Sequence, residues 1–393
     1  MMKSFFQQKL FWGGFVGILI AVILFTFAFM GSTVNPTPKE IPLAIVVQDD
    51  GVALPNGQQL NFGKRFLEQV KKNDNESIDW AFLDSREKAV EGMNEKEYYA
   101  TIVIPSSLSQ NIFSLLTERS EKPEVEILVN EGMNATGAKM AGQMASRILS
   151  NLNTQVENNL YEQVESQQIP LSVEKSKLLT LPIQVTTRTL NSVGEHNANG
   201  NTPALFTQIL WLTTFIGSMI LFTAIKKLGL AKWTISSITS QILGGLLFVV
   251  SICGLVFWFA DGVLDVSIPN GGDMFALLLF IGMMFFFIQG GLLNWIGYAA
   301  APIFVLLFFF SMPVLTLPPE MLPDITKDWL YSWVPFRFSV EAFKDVLFFG
   351  VNPLDKGIGV LGYIGLAGLI MMLLAPFKPV RGEAKTKNVK VEK

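Results

Sequence analysis

Hydrophobic positions fall along this chain in two different ways. Five blocks, residues 10–30, 203–225, 234–260, 274–316 and 357–376, contain no Asp, Glu, Lys or Arg. A helix needs about 20 apolar residues at about 1.5 Å each to cross a bilayer. The first, second, third and last blocks hold 21, 23, 27 and 20 residues, and each predicts one crossing. The fourth holds 43, enough for two. Within it, Gln289-Gly290-Gly291 and Asn294-Trp295 supply a polar, glycine-containing break where a tight hairpin is expected. The pattern predicts a polytopic α-helical membrane protein with six spans.

Residues 31–202 alternate instead of running apolar. Pro36-Thr37-Pro38 is a stiff exit from the first span. Strands are expected at 41–47, 78–83, 98–104 and 125–129, with helices at 62–72, 85–94 and 108–117 between them. The turn Asp49-Asp50-Gly51 closes the first strand, and Pro105 stops the strongest one. Strands alternating with helices indicate a small α/β sheet. One long helix follows at about 135–167, where Ile148, Leu152, Val156, Leu160 and Val164 recur every four residues. It is expected to pack on the domain at one end and reach beyond it, as a dimer contact or as an arm toward the bilayer. Residues 197–203 form a linker back to the membrane.

Charge orients this plan. Residues 1–9 carry Lys3 and Lys9, the loop after the second block carries Lys226, Lys227 and Lys232, and residues 377–393 carry six cations. The loop 261–273 holds Asp261, Asp265 and Asp273 with no basic residue. Basic segments stay on the cytoplasmic side, so both termini are expected inside and residues 31–202, with 15 Lys and Arg against 22 Asp and Glu, outside. The expected domains are a cytoplasmic segment 1–9, a first transmembrane helix 10–30, an extracellular α/β domain 31–202, a five-helix membrane domain 203–376 and a basic cytoplasmic tail 377–393. A signal peptide is the other reading of the first block. Its apolar core is longer than such peptides use, and no small-x-small cleavage site follows, which favours a retained anchor.

Composition sharpens the class. Half of the residues are hydrophobic and 16% are charged, against about 25% in globular proteins. One His and one Cys exclude a disulfide scaffold and any Cys-rich or His-rich metal centre. A net charge of −3 gives no reason to expect nucleic acid. No P-loop is present: from Gly57 to Gly63-Lys64-Arg65 the spacing is one residue too long, and Arg65 replaces the hydroxyl. His196 sits in an Asn/Gly-rich stretch that suits a surface residue better than a catalyst. No catalytic residue, cofactor or metal is expected, and the chain reads as not an enzyme.

The spans carry small and polar residues at helical spacing. Thr207, Trp211, Thr214 and Ser218 share one face of the second span, and Ser237, Ser240, Gly244 and Ser251 share one face of the third. Helix packing explains such faces; lining a route for an amphiphilic substrate is the sharper alternative. Ion-driven transporters often hold ionisable groups within the membrane, at a cost. These spans hold none, so uphill transport would draw its energy from another protein. Residues 312–356 contain Pro313, Pro318, Pro319, Pro323, Pro335 and Pro353 beside Trp329, Trp333, Phe336 and Phe338. Short helices at the outer interface are expected there.

One span, a large external α/β domain and five more spans resemble a type-2 ABC exporter permease, as do Pro318-Pro319-Glu320-Met321-Leu322-Pro323 and Trp333-Val334-Pro335-Phe336 before the last span. Asp49-Asp50-Gly51, Gly63-Lys64, Asp79-Trp80 and Val129-Asn130-Glu131 are similar to the YhgE/Pip family. The resemblance implies a multi-pass protein of a bacterial plasma membrane, a homodimer in the lipid bilayer, and a separate cytoplasmic ATPase. Phe5, Phe6, Lys9, Lys226, Lys227 and Lys232 are the candidate ATPase contacts. The implied function is the permease subunit of an ATP-driven exporter of a hydrophobic or amphiphilic substrate. The alternative is a cell-surface docking protein for phage or secretion-system proteins.

Overall fold

The computed structural model describes residues 38–53, 59–72, 76–117, 121–166, 168–229, 232–352 and 358–378, with five single helical positions between 12 and 23. The described chain divides into two compact units. One holds the residues up to Pro203 with Phe310–Val334 and Lys344–Val351; the other holds Ala204–Phe309, Pro335–Phe343 and the last helix.

In the first unit β1 (Ile41–Val47) is an interior strand of a five-stranded sheet. It is flanked in parallel by β4 (Ile78–Leu83) and β5 (Ala100–Ile104). β6 (Glu124–Asn130) runs antiparallel to β5, and β7 (Gln184–Leu190) is parallel to β6, giving the order β4-β1-β5-β6-β7. β2 (Val52–Ala53) and β3 (Gln59–Leu60) form a separate ribbon. α1 (Phe62–Lys72), α3 (Leu108–Ser114), α4 (Ala135–Ser166) and α5 (Val173–Leu179) supply the larger core with Ile41, Leu43 and Ile45. α2 (Arg86–Asn94) covers the opposite face, where Ala89 and Met93 meet Val46, Val103 and Leu128. Burial on both faces explains why β1 reads as a continuous apolar run instead of alternating.

α4 does not reach beyond its domain. Ala138, Ala141, Ala145, Leu149, Leu152, Val156, Leu160 and Val164 are buried along its whole length. Its buried Asn153 closes two bonds with one backbone unit, accepting from Ile183 N and donating to Ile183 O, both at 2.8 Å. That clasp positions the start of β7.

Among the described residues, four helical segments are long and apolar enough to cross a membrane: Thr202–Lys226, Ile235–Gly262, Gly271–Met312 and Gly359–Phe377. This corrects the expectation of six spans. Most of residues 10–30 lie outside the described residues, as do both termini expected on the cytoplasmic side. In the fourth block the turn expected at 289–295 is absent, and those residues are helical. α6 (Thr202–Lys226) and α7 (Ile235–Gly262) precede α8, which runs unbroken from Gly271 to Ile296. The break comes at Gly297, whose φ of 67° and ψ of −148° suit glycine alone. α9 (Ala300–Thr316) has 17 residues, about 26 Å of helix against about 30 Å of hydrocarbon. The count among the described residues is therefore four, because most of residues 10–30 lie outside them and because only the short turn Gly297–Ala299 separates α8 from α9 within one apolar segment. α10 (Pro335–Phe348) and α11 (Ile358–Leu374) complete the fold.

Candidate functional site

In parallel α/β sheets, ligands bind beyond the carboxyl ends of the strands, where the connections diverge. β1 lies at such a point, and Asp49 fills it. One carboxylate oxygen accepts from Ser109 N at 3.0 Å and Gly51 N at 3.3 Å. The other accepts from Gly63 N at 2.9 Å and Ser109 Oγ at 2.5 Å. Ser109 Oγ in turn accepts from Phe62 N at 2.8 Å. One carboxylate thus caps the first turns of α1 and α3. A Cβ on Gly63 would stand 2.6 Å from Asp49 Cβ, so the carboxylate reaches that N–H only because residue 63 is glycine. With these donors the Asp49-Asp50-Gly51 and Gly63-Lys64 motifs are structural.

The sheet is also tied to Phe310–Val334 and Lys344–Val351 within the same unit. The buried Tyr99 hydroxyl donates to Glu320 Oε2 at 2.9 Å, and Lys39 N donates to Glu320 O at 3.1 Å. Asn134 Nδ2 donates to Thr316 O at 3.4 Å, and Lys344 Nζ to Met133 O at 2.8 Å. Lys96 and Asp345 form an ion pair at 2.7 Å, with side chains only 19% and 11% exposed, and Lys96 also lies over the Phe349 ring. Such a pair, mostly removed from water, resists salt far better than a surface pair. On the α2 face Glu126 accepts from Arg86 at 2.7 and 3.2 Å and pairs with Arg188 at 3.0 Å. The Glu126 hydrogen bond raises the Arg86 guanidinium pKa above its ordinary range.

The helical unit is centred on Trp211. This buried side chain packs against Phe285, Phe304 and Phe336, with ring centroids at 5.1, 5.8 and 4.6 Å, and donates to Phe304 O at 3.3 Å. On a straight helix Phe285 and Phe304 would stand about 28 Å apart, so the helical path turns back between them. Thr207 shares a 2.8 Å hydrogen bond with Ser339, and Thr214 bonds Leu210 O at 2.6 Å. Ser218, on the same buried face, has no hydrogen-bond partner among the described residues. These four expected positions therefore share one buried face. The third-span set does not. Ser237 caps α7 through Thr234, Ser240 and Ser251 are exposed, and Gly244 is half-buried. Lys226, Lys227 and Lys232 are exposed, while Phe5, Phe6 and Lys9 lie outside the described residues.

Three buried carboxamides link the helices. Gln241 and Asn294 are buried and bond reciprocally between α7 and α8, at 2.8 and 3.3 Å. Gln289 donates to Trp211 O at 3.1 Å, and its carbonyl oxygen is without a partner among the described residues. Gln289 and Asn294 had been read as turn residues; buried inside a helix, they join it to its neighbours. Their isolation within a charge-free block was the available signal. Glycines set the remaining contacts. A Cβ on Gly291 would meet Gly368 O at 2.7 Å, and one on Gly368 would collide with the Ile288 backbone. α8 and α11 thus approach to backbone contact.

Among the described residues, no group of three or more His, Cys, Asp or Glu side chains is placed to hold a metal. Membrane-length helices joined by buried amides and hydroxyls, in a chain that also carries an α/β domain, define a polytopic membrane protein. The chain matches the model of the ABC-2 family transporter proteins over residues 9–376, and it belongs to that family, whose members are membrane transporters and not enzymes. No curated protein and no solved structure matches it.

Proposed function

We propose that this chain is the permease subunit of an ATP-driven exporter of the YhgE/Pip kind in a bacterial plasma membrane. It works as a homodimer with residues 31–202 outside, and a separate cytoplasmic ATPase supplies the energy. One observation carries the reading: the four membrane-length segments hold Asp, Glu, Lys or Arg only at their ends, at Lys226, Asp261 and Asp273. Proton- and ion-driven carriers often hold ionisable side chains inside their spans, and the absence of Asp, Glu, Lys and Arg between these ends supports an outside source of energy. The buried polar groups are amides and hydroxyls, which suit the neutral part of a hydrophobic or amphiphilic cargo. Ser218, without a hydrogen-bond partner among the described residues, supports a lining role at its position, while the bonds of Thr207 and Thr214 support packing.

An ATPase is expected to co-purify with the full-length chain and to be lost in Lys226→Glu/Lys227→Glu/Lys232→Glu. The reading fails if no ATPase co-purifies and depletion of candidate ATPases leaves every export phenotype unchanged. The second reading, a docking protein for phage or secretion-system components, is favoured by the α/β domain having two cores of its own. Deleting residues 40–198 separates the two. Lost adsorption with normal tolerance of drugs and lipids supports docking, whereas lost tolerance supports export.

A further inference from the structure

β4 is one of the two edge strands of the sheet, bonded to β1 along one side, and no described residue pairs with its other side. An unpaired strand edge is a template for another extended chain. Directly beside it is a cavity of ≈ 90 Å³ between α1, β4 and α4. Phe66, Val70, Ile78 and Leu152 form its buried floor, with Trp80 as a half-buried wall and Asn151 at the exposed rim. Gln69 and Gln155 join Asn151 at the rim, so this open cavity suits a short side chain whose apolar end reaches the floor. Alternation along β4 puts Ile78, Trp80 and Phe82 on the α1 side; Phe82 is 43% exposed, and Lys71 lies 4.8 Å above its ring. An apolar strip therefore runs along an open edge and deepens into a pocket.

Charge narrows the occupant. The exposed side of α1 carries Lys64, Arg65, Lys71 and Lys72 against Glu68, within a segment where acids outnumber bases 22 to 15 as a whole. Asp79, the nearest carboxylate of β4, points to the opposite face by the same alternation. We propose that the β4 edge and this cavity form a docking groove for an extended acidic peptide. The peptide adds to β4 as a strand, and one aliphatic side chain enters the cavity between Trp80 and Leu152. Backbone pairing supplies the general affinity and the pocket the selectivity. The inference rests on the α/β domain alone and is independent of the export reading.

The test is fluorescence anisotropy on the full-length chain in detergent micelles, using the labelled peptide Thr-Glu-Thr-Leu-Thr-Glu-Thr. Two comparison peptides replace both Glu by Lys, or Leu by Ala. The first peptide is expected to bind saturably, and both comparison peptides roughly tenfold more weakly. Asn151→Phe, which plugs the rim from an exposed position, and Lys71→Glu/Lys72→Glu are expected to weaken binding by a similar factor with the circular dichroism spectrum unchanged. Absence of saturable binding overturns the proposal. So does equal binding of the Lys peptide, or unchanged affinity in Asn151→Phe. A β4-to-β4 disulfide forming in Asp79→Cys would assign the edge to a second copy of the chain and also overturn it.

Discussion

The two units differ in where their most buried polar side chains are used. In the α/β unit they terminate elements: Asp49 caps α1 and α3, Ser85 caps α2 by accepting from Lys88 N, and Asn153 fastens the approach to β7. In the helical unit they join elements that are already complete. Gln241 meets Asn294, Thr207 meets Ser339, and Gln289 reaches the Trp211 carbonyl. The reason is the solvent. Beside water, a loose end of backbone is common and a side chain stops it cheaply; in hydrocarbon, helices satisfy their own backbone and apolar surface gives no drive to associate. Shape and a few buried hydrogen bonds then decide which helices meet.

That contrast is broken most severely at the α8–α11 contact. Gly368→Leu places a side chain where the Ile288 backbone stands, so the helices must separate. The expected loss is about 3 kcal/mol or more, read as an early melting transition of the detergent-solubilised chain. Gly254→Leu is the matched control, since nothing lies within 4 Å of the Cβ it would carry, and it should melt like the parent. The corresponding break in the α/β unit is Asp49→Ala, which strands the N–H groups of Gly63 and Ser109. A cost of about 3 kcal/mol is expected, with hydrogen exchange rising first in α1 and α3. Equal exchange across the whole sheet would refute the local capping role.

These costs also show what the sequence could disclose. The strand at Ile41–Val47 and the helix at Phe62–Lys72 lie where the pattern puts them, because each is a long apolar or amphipathic stretch bounded by turn residues. β7 was illegible: Gln-Val-Thr-Thr-Arg-Thr-Leu is exposed along most of its length and is held by β6 and Asn153, with no apolar alternation of its own. The membrane blocks were visible by their missing charge, but their breaks were not. Gly290 and Gly291 look like a turn in one dimension, and only the approach of α11 shows them to be contact glycines. The Trp211 face was readable from spacing. Its carboxamide neighbours were not, since the partner of Gln241 lies 53 residues away.

A smaller effect tests whether the buried amides join helices in pairs. Asn294→Leu removes both bonds to Gln241 and leaves that carboxamide buried alone. About 1.5 kcal/mol of destabilisation is expected, near the top of the range for polar contacts between membrane helices. Gln241→Leu/Asn294→Leu should recover most of it, because two apolar residues demand nothing of each other. Additive losses in the thermal melts would mean that the amides act separately.

The smallest expected effect lies at the tie between the sheet and the proline-rich segment, where Tyr99→Phe deletes one hydroxyl that donates to Glu320. The ring stays, so its packing in the larger core is kept. Lys39 N still donates to the Glu320 carbonyl, and Lys344 and Lys96 still hold the other strand of the connection. A loss of about 1 kcal/mol is expected, too little to unfold the sheet. Hydrogen exchange should rise at Glu320 and Met321 and stay unchanged in β1. If instead β1 and the 319–321 turn open together, the segment is an integral layer of the α/β core, and the line between polar groups that end elements and those that join them must be redrawn to include it.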